Sequence, residues 1–181
     1  MTDLAAPMAG DGVTALPLDE SHRAALKTAC AEDLDIWQIY SVNCGPEAFD
    51  ATIDGLLARP DVATFTLWQG GELVGMSSFL RIDPKNRVLE IGFTYYRPKF
   101  RGTGINRRIK DMMIRRAIDA GFHRIEFRVD ERNKRSQAAM SKLGAVREGI
   151  RRADTITWTG HLRDTVMFSI LSNEWPPAQH R

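Results

Sequence analysis

The residues best fitted to hold a ligand are Arg101-Gly102-Thr103-Gly104-Ile105-Asn106. They stand between a strand-like run, 88–96, and a helix-like run, 105–120. A glycine turn that feeds a helix leaves backbone N–H groups unpaired and aimed one way. The positive end of the helix dipole falls at the same place, so the turn suits a phosphate. Lys99, Arg101, Arg107 and Arg108 strengthen that field. The common phosphate signatures do not fit. The Lys-Ser/Thr end of the nucleotide-triphosphate loop is missing, and Arg107 stands where the dinucleotide fingerprint needs its third glycine. Taken alone, the six residues could equally be a turn that caps a helix.

Several elements must position this turn. Val13 to Leu18 is a short strand candidate, and Asp19 or Ser21 is placed to cap a helix over about 20–31. Phe49, Ile53, Leu56 and Leu57 recur at helical spacing and predict a helix over 46–58, which Pro60 stops. Strand-like runs follow at 62–69, 72–82 and 87–96, with a hairpin signal at Gln69-Gly70-Gly71-Glu72. After the glycine turn, Ile109, Met112 and Met113 mark the buried side of a helix that Ala120-Gly121 ends. Ile125, Phe127 and Val129 alternate with Glu126, Arg128 and Asp130, a strand period. Ser136 is the expected N-cap of a short helix over 137–143, closed by Gly144. Two last strands are expected at 145–154 and 162–171. Residues 1–12 and 173–181 read as tails around one domain, 13–172. This order describes a layered α/β domain with a mixed, mostly antiparallel sheet of seven strands rather than a doubly wound one.

The chain has 181 residues, enough for one domain with a sizeable core. A net charge of +2 gives no global argument for nucleic acid, although basic residues gather in 99–116. Cys30 and Cys44 show no metal spacing, and a domain without disulfides fits a reducing cytoplasm. His22, His123, His161 and His180 are scattered, so no metal site is expected. No apolar run is long enough for a membrane span, and the first residues do not read as a signal peptide.

The turn does match the Arg/Gln-x-x-Gly-x-Gly/Ala pattern of the GCN5-related N-acetyltransferases. The wider stretches EIGFTYYRPKFRGTGINRRIK, RIEFRVDERNKRSQAAMSKLGAVREG and HLRDTVMFSIL resemble the RimJ/RimL-like branch of that family, over roughly residues 13–172. The resemblance implies that family's fold, with the fourth and fifth strands parallel and splayed. It also implies acetyl-coenzyme A as co-substrate, no metal, and transfer to a primary amine by direct attack. The turn amides, from Arg101 through Gly102, Thr103, Gly104, Ile105 and Asn106 to Arg107, would hold the diphosphate. The strand end Thr94, Tyr95, Tyr96 would pair with the pantetheine arm. Asn106 departs from the family's Gly or Ala and must fit beside a phosphate or point away.

By the same resemblance, Asn133 would orient the acetyl group, and Ser136 would donate to the departing thiolate. Met140 stands where many members carry a tyrosine for that task. Glu90 lies eleven residues before Arg101, the offset of the family's catalytic glutamate, and would take the proton of an ammonium acceptor. A solvent-facing or structural strand glutamate is its competing reading, and a plain helix cap is that of Ser136. Asp33, Asp35, Glu47 and Asp50 could line an acceptor groove and draw in a cationic amine. Trp37, Trp68 and Trp158 read as core or pocket wall. The acceptor implied is a protein N-terminal α-amine or a small-molecule amine, and a homodimer through the last strands is open. Two other readings compete: a coenzyme A-binding sensor without catalysis, and an RNA-associated protein using the basic 99–116 helix.

Overall fold

Phe65 and Leu67 alternate with Thr64 and Thr66, yet all four are buried, which marks a strand covered on both faces. In the computed structural model, which describes residues 3–176, that strand is β3 (Ala63–Gln69). It runs beside β2 (Val13–Pro17) and β4 (Glu72–Asp83). The sheet continues through β5 (Val88–Tyr96) and β6 (Arg124–Asp130) to β8 (Leu162–Leu171), with β7 (Val146–Ile156) at the edge.

The sheet has eight strands rather than seven, because β1 (Met8–Gly10) pairs antiparallel with β2. These three residues fall within the stretch expected to be a loose tail. They are held from far along the chain. Met8 is buried in the core, Arg116 donates to the carbonyls of Asp3, Ala6 and Pro7, and Arg108 donates to that of Asp11. Such contacts leave no periodic pattern in an Ala/Gly/Pro-rich segment. At the other end Trp175 packs against the core; His180 lies outside the described residues.

Among the described residues, four α-helices flank the sheet. α1 (Glu20–Cys30) is capped by Asp19, whose carboxylate accepts from the Ser21 amide at 2.9 Å. α2 is Phe49–Leu57, and α3, Ile105–Asp119, follows the glycine turn. α4 (Lys134–Leu143) starts earlier than expected, because its N-cap is Asn133 and not Ser136. Asn133 Oδ1 accepts from the Ser136 amide at 3.0 Å. Gly144, at φ 96°, closes this helix in the left-handed conformation that glycine alone adopts cheaply.

Two features of β5 shape everything near the turn. First, β5 pairs in parallel with β6 only from Val88–Arg124 to Glu90–Glu126, and the two strands then part. These are the fourth and fifth strands of the seven-strand expectation. Second, β5 carries a bulge. The register with β4 steps from Ser78–Gly92 to Met76–Tyr95, and Phe93 takes φ 48°. The extra residue reverses the alternation. Leu89 and Ile91 pack in the core beneath α3, whereas Phe93 and Tyr95 pack in the core beneath α1 and α2. Glu90 and Thr94 therefore face opposite sides of the sheet, although an even spacing separates them.

Candidate active site

Gly102 and Gly104 both sit at φ 81°, where a side chain is strained, and a Cβ on either would stand in open space. The backbone thus bends tightly with no side chain at either glycine to crowd a ligand. Among the described residues, none of the amides of 102–106 has a protein acceptor. The free donors are fewer than the sequence implied. The Arg101 amide donates to the Pro98 carbonyl at 3.1 Å, and that of Arg107 donates to Gly104 at 3.1 Å. Their side chains are committed as well. Arg101 donates to the Tyr96 carbonyl at 2.8 Å and pairs with Asp33, while Arg107 donates to the Lys142 carbonyl at 3.0 Å. Asn106 points away from the cradle, its Oδ1 accepting from Tyr96 Oη at 3.1 Å. Five amides without a protein acceptor at a helix N-terminus, with open space at the two glycines, fit a diphosphate.

A cavity of about 1060 Å³ runs from this turn into the gap where β5 and β6 part. On the β5 side, the edge beyond Glu90 has no strand partner. The Thr94 carbonyl there accepts from Tyr40 Oη, and the side chain of Tyr95 is turned into the core, donating to the Ala29 carbonyl at 2.6 Å. From α4, Asn133 and Ser136 line the cavity. Asn133 Oδ1 is used in the helix cap, which leaves its Nδ2 free, and Ser136 Oγ has no side-chain partner among the described residues. Met140 is buried behind them.

Glu90 is 7 % exposed and lines the same cavity. Burial pushes its carboxyl above the usual range, against the pull of Arg128, Arg81 and Arg163; Arg81 Nε lies 3.2 Å away. A raised carboxyl in a cleft can shuttle a proton near neutral pH. Lys110, which sequence reasoning counted only among the basic residues of α3, also lines the cavity and is 3 % exposed. Its ammonium donates to Thr94 Oγ1 at 2.7 Å, and burial pulls it down to about 7, with the charge of Glu90 opposing. Asn106, Lys110, Met113 and Ala117 share one stripe of α3, so the helical period does mark Lys110 as inward-facing.

Other expectations are redistributed. None of Asp33, Asp35, Glu47 and Asp50 lines the cavity. Asp33 pairs with Arg101, and Asp50 pairs with Lys27 at 2.5 Å. Trp37 is core, stacked on Tyr95 with centroids 5.0 Å apart. Trp158 ties its turn to the Trp37 carbonyl at 2.8 Å. Cys30 and Cys44 lie outside the cavity, and burial pushes both thiols up, that of Cys44 to about 12, so neither offers a thiolate. Among the described residues no cluster suits a metal, and no helix is long and apolar enough to cross a membrane.

A free-amide turn that opens into a gap between parted parallel strands has the shape and donors to suit a long phosphorylated ligand laid alongside the sheet. The chain belongs to the acetyltransferase (GNAT) family, whose profile matches residues 31–145. It is similar to a probable acetyltransferase (GNAT family) from Chromobacterium violaceum ATCC 12472, at 27% identity over 97% of this chain and 90% of that one, with a TM-score of 0.90. A GCN5-related N-acetyltransferase from Brucella melitensis is 25% identical over 97% of this chain and 83% of its own, with a TM-score of 0.88. RimJ of Mycobacterium smegmatis, solved with CoA-disulfide, shares the fold at a TM-score of 0.79, 20% identity and coverage of 95% and 88%. No curated protein matches.

Proposed function

We propose that this protein transfers the acetyl group of acetyl-coenzyme A to a primary amine by direct attack, with Glu90 as the base. The observation that carries the reading is the row of free amides at 102–106, continuous through one cavity with buried Glu90. When bound, acetyl-coenzyme A supplies an acetyl thioester activated toward amines. The amides of Gly102, Thr103, Gly104, Ile105 and Asn106 hold the diphosphate. The unpaired edge of β5 at Thr94 to Tyr96 takes the pantetheine arm as an added strand. Asn133 orients the acetyl group through its free amide nitrogen. Glu90 accepts the proton that an ammonium must lose before it can attack. Ser136 hydrogen-bonds the sulfur as it departs.

Arg59, Arg81, Arg128 and Arg163 outnumber the acids that share the cavity with them, Glu90, Asp130 and Asp154. That balance favours an acceptor with one amine over a polycation. A protein N-terminal α-amine, the acceptor suggested by the RimJ/RimL likeness, meets this condition, as do small monoamines. The buried, unpaired cysteines suit the cytoplasm as the place of action. Thiol release from acetyl-coenzyme A, followed with a panel of peptides and monoamines, tests the reading. Amine-dependent turnover is the expected result. Coenzyme A binding without turnover on any amine would leave a binding module and refute the enzyme.

A further inference from the structure

We propose that Lys110 is a catalytic residue: from the floor of the gap between β5 and β6, its ammonium hands a proton to the coenzyme A sulfur as the thioester breaks. The inference rests on the acetyl-transfer reading above. Its basis is the placement of the nitrogen between the parted strands. On one side Lys110 Nζ donates to Thr94 Oγ1 of β5 at 2.7 Å, and on the other it lies 5.9 Å from the centre of the Phe127 ring of β6. Ser77 Oγ of β4 stands 3.5 Å away. The nitrogen therefore lies where pairing between the two strands has ended, beneath whatever threads the gap.

The Phe93 bulge makes this a two-sided site. Thr94 and Lys110 face the α3 side, while Glu90 faces the other side with Arg81, Arg128 and Arg163. A base on the acceptor side and an acid on the cofactor side is the arrangement that amine attack and thiolate departure require. Rival acids along the cavity are poorly suited. Tyr40 and Tyr96 have hydroxyls raised by burial and already committed, to the Thr94 carbonyl and to Asn106. A serine hydroxyl such as that of Ser136 can hydrogen-bond a thiolate but is too weak an acid to surrender its proton. An arginine does not titrate.

Lys110 titrates in the right range. The groups facing it are Ser77 from β4, Thr94 from β5 and Phe127 from β6; Glu90, on the other side of the sheet, is the one whose charge acts on it. Burial brings the ammonium to about 7. A thiol ordinarily titrates near ~8.5, so the transfer to sulfur runs downhill. The step balances. The amine nitrogen forms its bond to the carbonyl carbon, the C–S bond breaks, and the sulfur takes a proton from Lys110. The acceptor ammonium gives up two protons, one by way of Glu90. One of the two restores Lys110, and the other is released to solvent.

The test compares coenzyme A with desulfo-coenzyme A by calorimetry on the full chain and on Lys110→Met. The wild type should bind coenzyme A about tenfold more tightly than the desulfo compound near neutral pH, and the variant should bind both alike, the gain being of the size of one charge-assisted hydrogen bond. Equal binding of desulfo-coenzyme A to both proteins shows that the variant is folded. Acetyl transfer should fall about 100-fold in Lys110→Met, with loss of the falling limb of its pH profile above neutrality. An unchanged preference for the sulfur, or an unchanged pH profile, overturns the proposal. If the variant does not fold, the side-chain NMR titration of Lys110 in the wild type decides: it must move with coenzyme A more than with desulfo-coenzyme A, and identical shifts overturn the proposal. Wild type that binds neither compound would overturn the acetyl-transfer reading too, whereas binding without a sulfur preference sinks only Lys110.

Discussion

Lys110 Nζ and Thr94 Oγ1 lie 2.7 Å apart, joining the helix that starts at the glycine turn to the strand that borders the gap. One turn earlier on the helix and two residues later on the strand, Asn106 and Tyr96 make the same kind of link at 3.1 Å. These two polar rungs fix the turn against the end of β5. They also place a buried ammonium where few proteins tolerate one.

That ammonium carries a stability cost with a definite pH dependence. In the unfolded chain a lysine stays protonated to about 10.4. In the fold Lys110 releases its proton near 7. Between those values the unfolded state binds more protons, so wild-type stability rises with pH. Lys110→Met should therefore be more stable than wild type by about 1–4 kcal/mol at pH 7, with the difference shrinking toward pH 10. Urea unfolding at pH 7 and at pH 9.5 measures both. A variant less stable at both values would show that the hydrogen bonds to Thr94 and Ser77 outweigh the burial of charge.

Glu90→Gln should lower the transfer rate by about 100-fold at neutral pH while leaving coenzyme A affinity within about twofold. The rising limb of the wild-type pH profile should lie above the ordinary carboxylate range, because burial raises this carboxyl. For stability the sign is opposite to that of an ion-paired acid. The folded state holds the Glu90 proton at pH values where the unfolded state has lost it, so its contribution falls as pH rises through that window. Rate profiles of both proteins between pH 5 and 9 check the first part, and a rising limb that survives in the glutamine variant removes Glu90 from the proton path.

Gly104→Asp should cost more than about 100-fold in coenzyme A affinity, since it sets an anion in front of amides that otherwise face a diphosphate. Its φ of 81° adds about 1–2 kcal/mol of backbone strain. Gly104→Ala carries similar strain without the charge. Calorimetry on the two variants separates the effects, and equal affinity losses would argue that conformation rather than charge decides binding.

Asn133→Ala should destabilise the protein by about 1 kcal/mol through loss of the α4 cap. Asn133→Asp keeps a cap oxygen but removes the amide donor. A rate loss in the aspartate variant at full stability would assign that donor to the acetyl group; an unchanged rate would leave Asn133 a cap and nothing more.

Much of this was legible in the chain. Two glycines before a helical period signal a turn with free amides, and β6 reads directly from Ile125, Phe127 and Val129 against their polar neighbours. What escaped depends on contacts distant in sequence. β1 is held by Arg108 and Arg116, which lie about a hundred residues away. Gly92 beside Phe93 is a hint of the bulge, but a glycine within a strand does not say where the extra residue falls, so the sequence of β5 does not tell that Glu90 and Thr94 face opposite ways. Asn133 and Ser136 are both good cap residues, and only the backbone decides between them. Lys110 was legible in principle, on the stripe it shares with Met113 and Ala117. A charged residue on an apolar stripe is easily credited to the basic surface beside it.

The most direct measurement is a crystal structure of the protein with coenzyme A. Diphosphate oxygens within hydrogen-bonding distance of the amides of 102–106, and a pantetheine arm lying between β5 and β6, are the predicted outcome. Electron density that puts the diphosphate elsewhere, with those amides turned to solvent, would contradict the account.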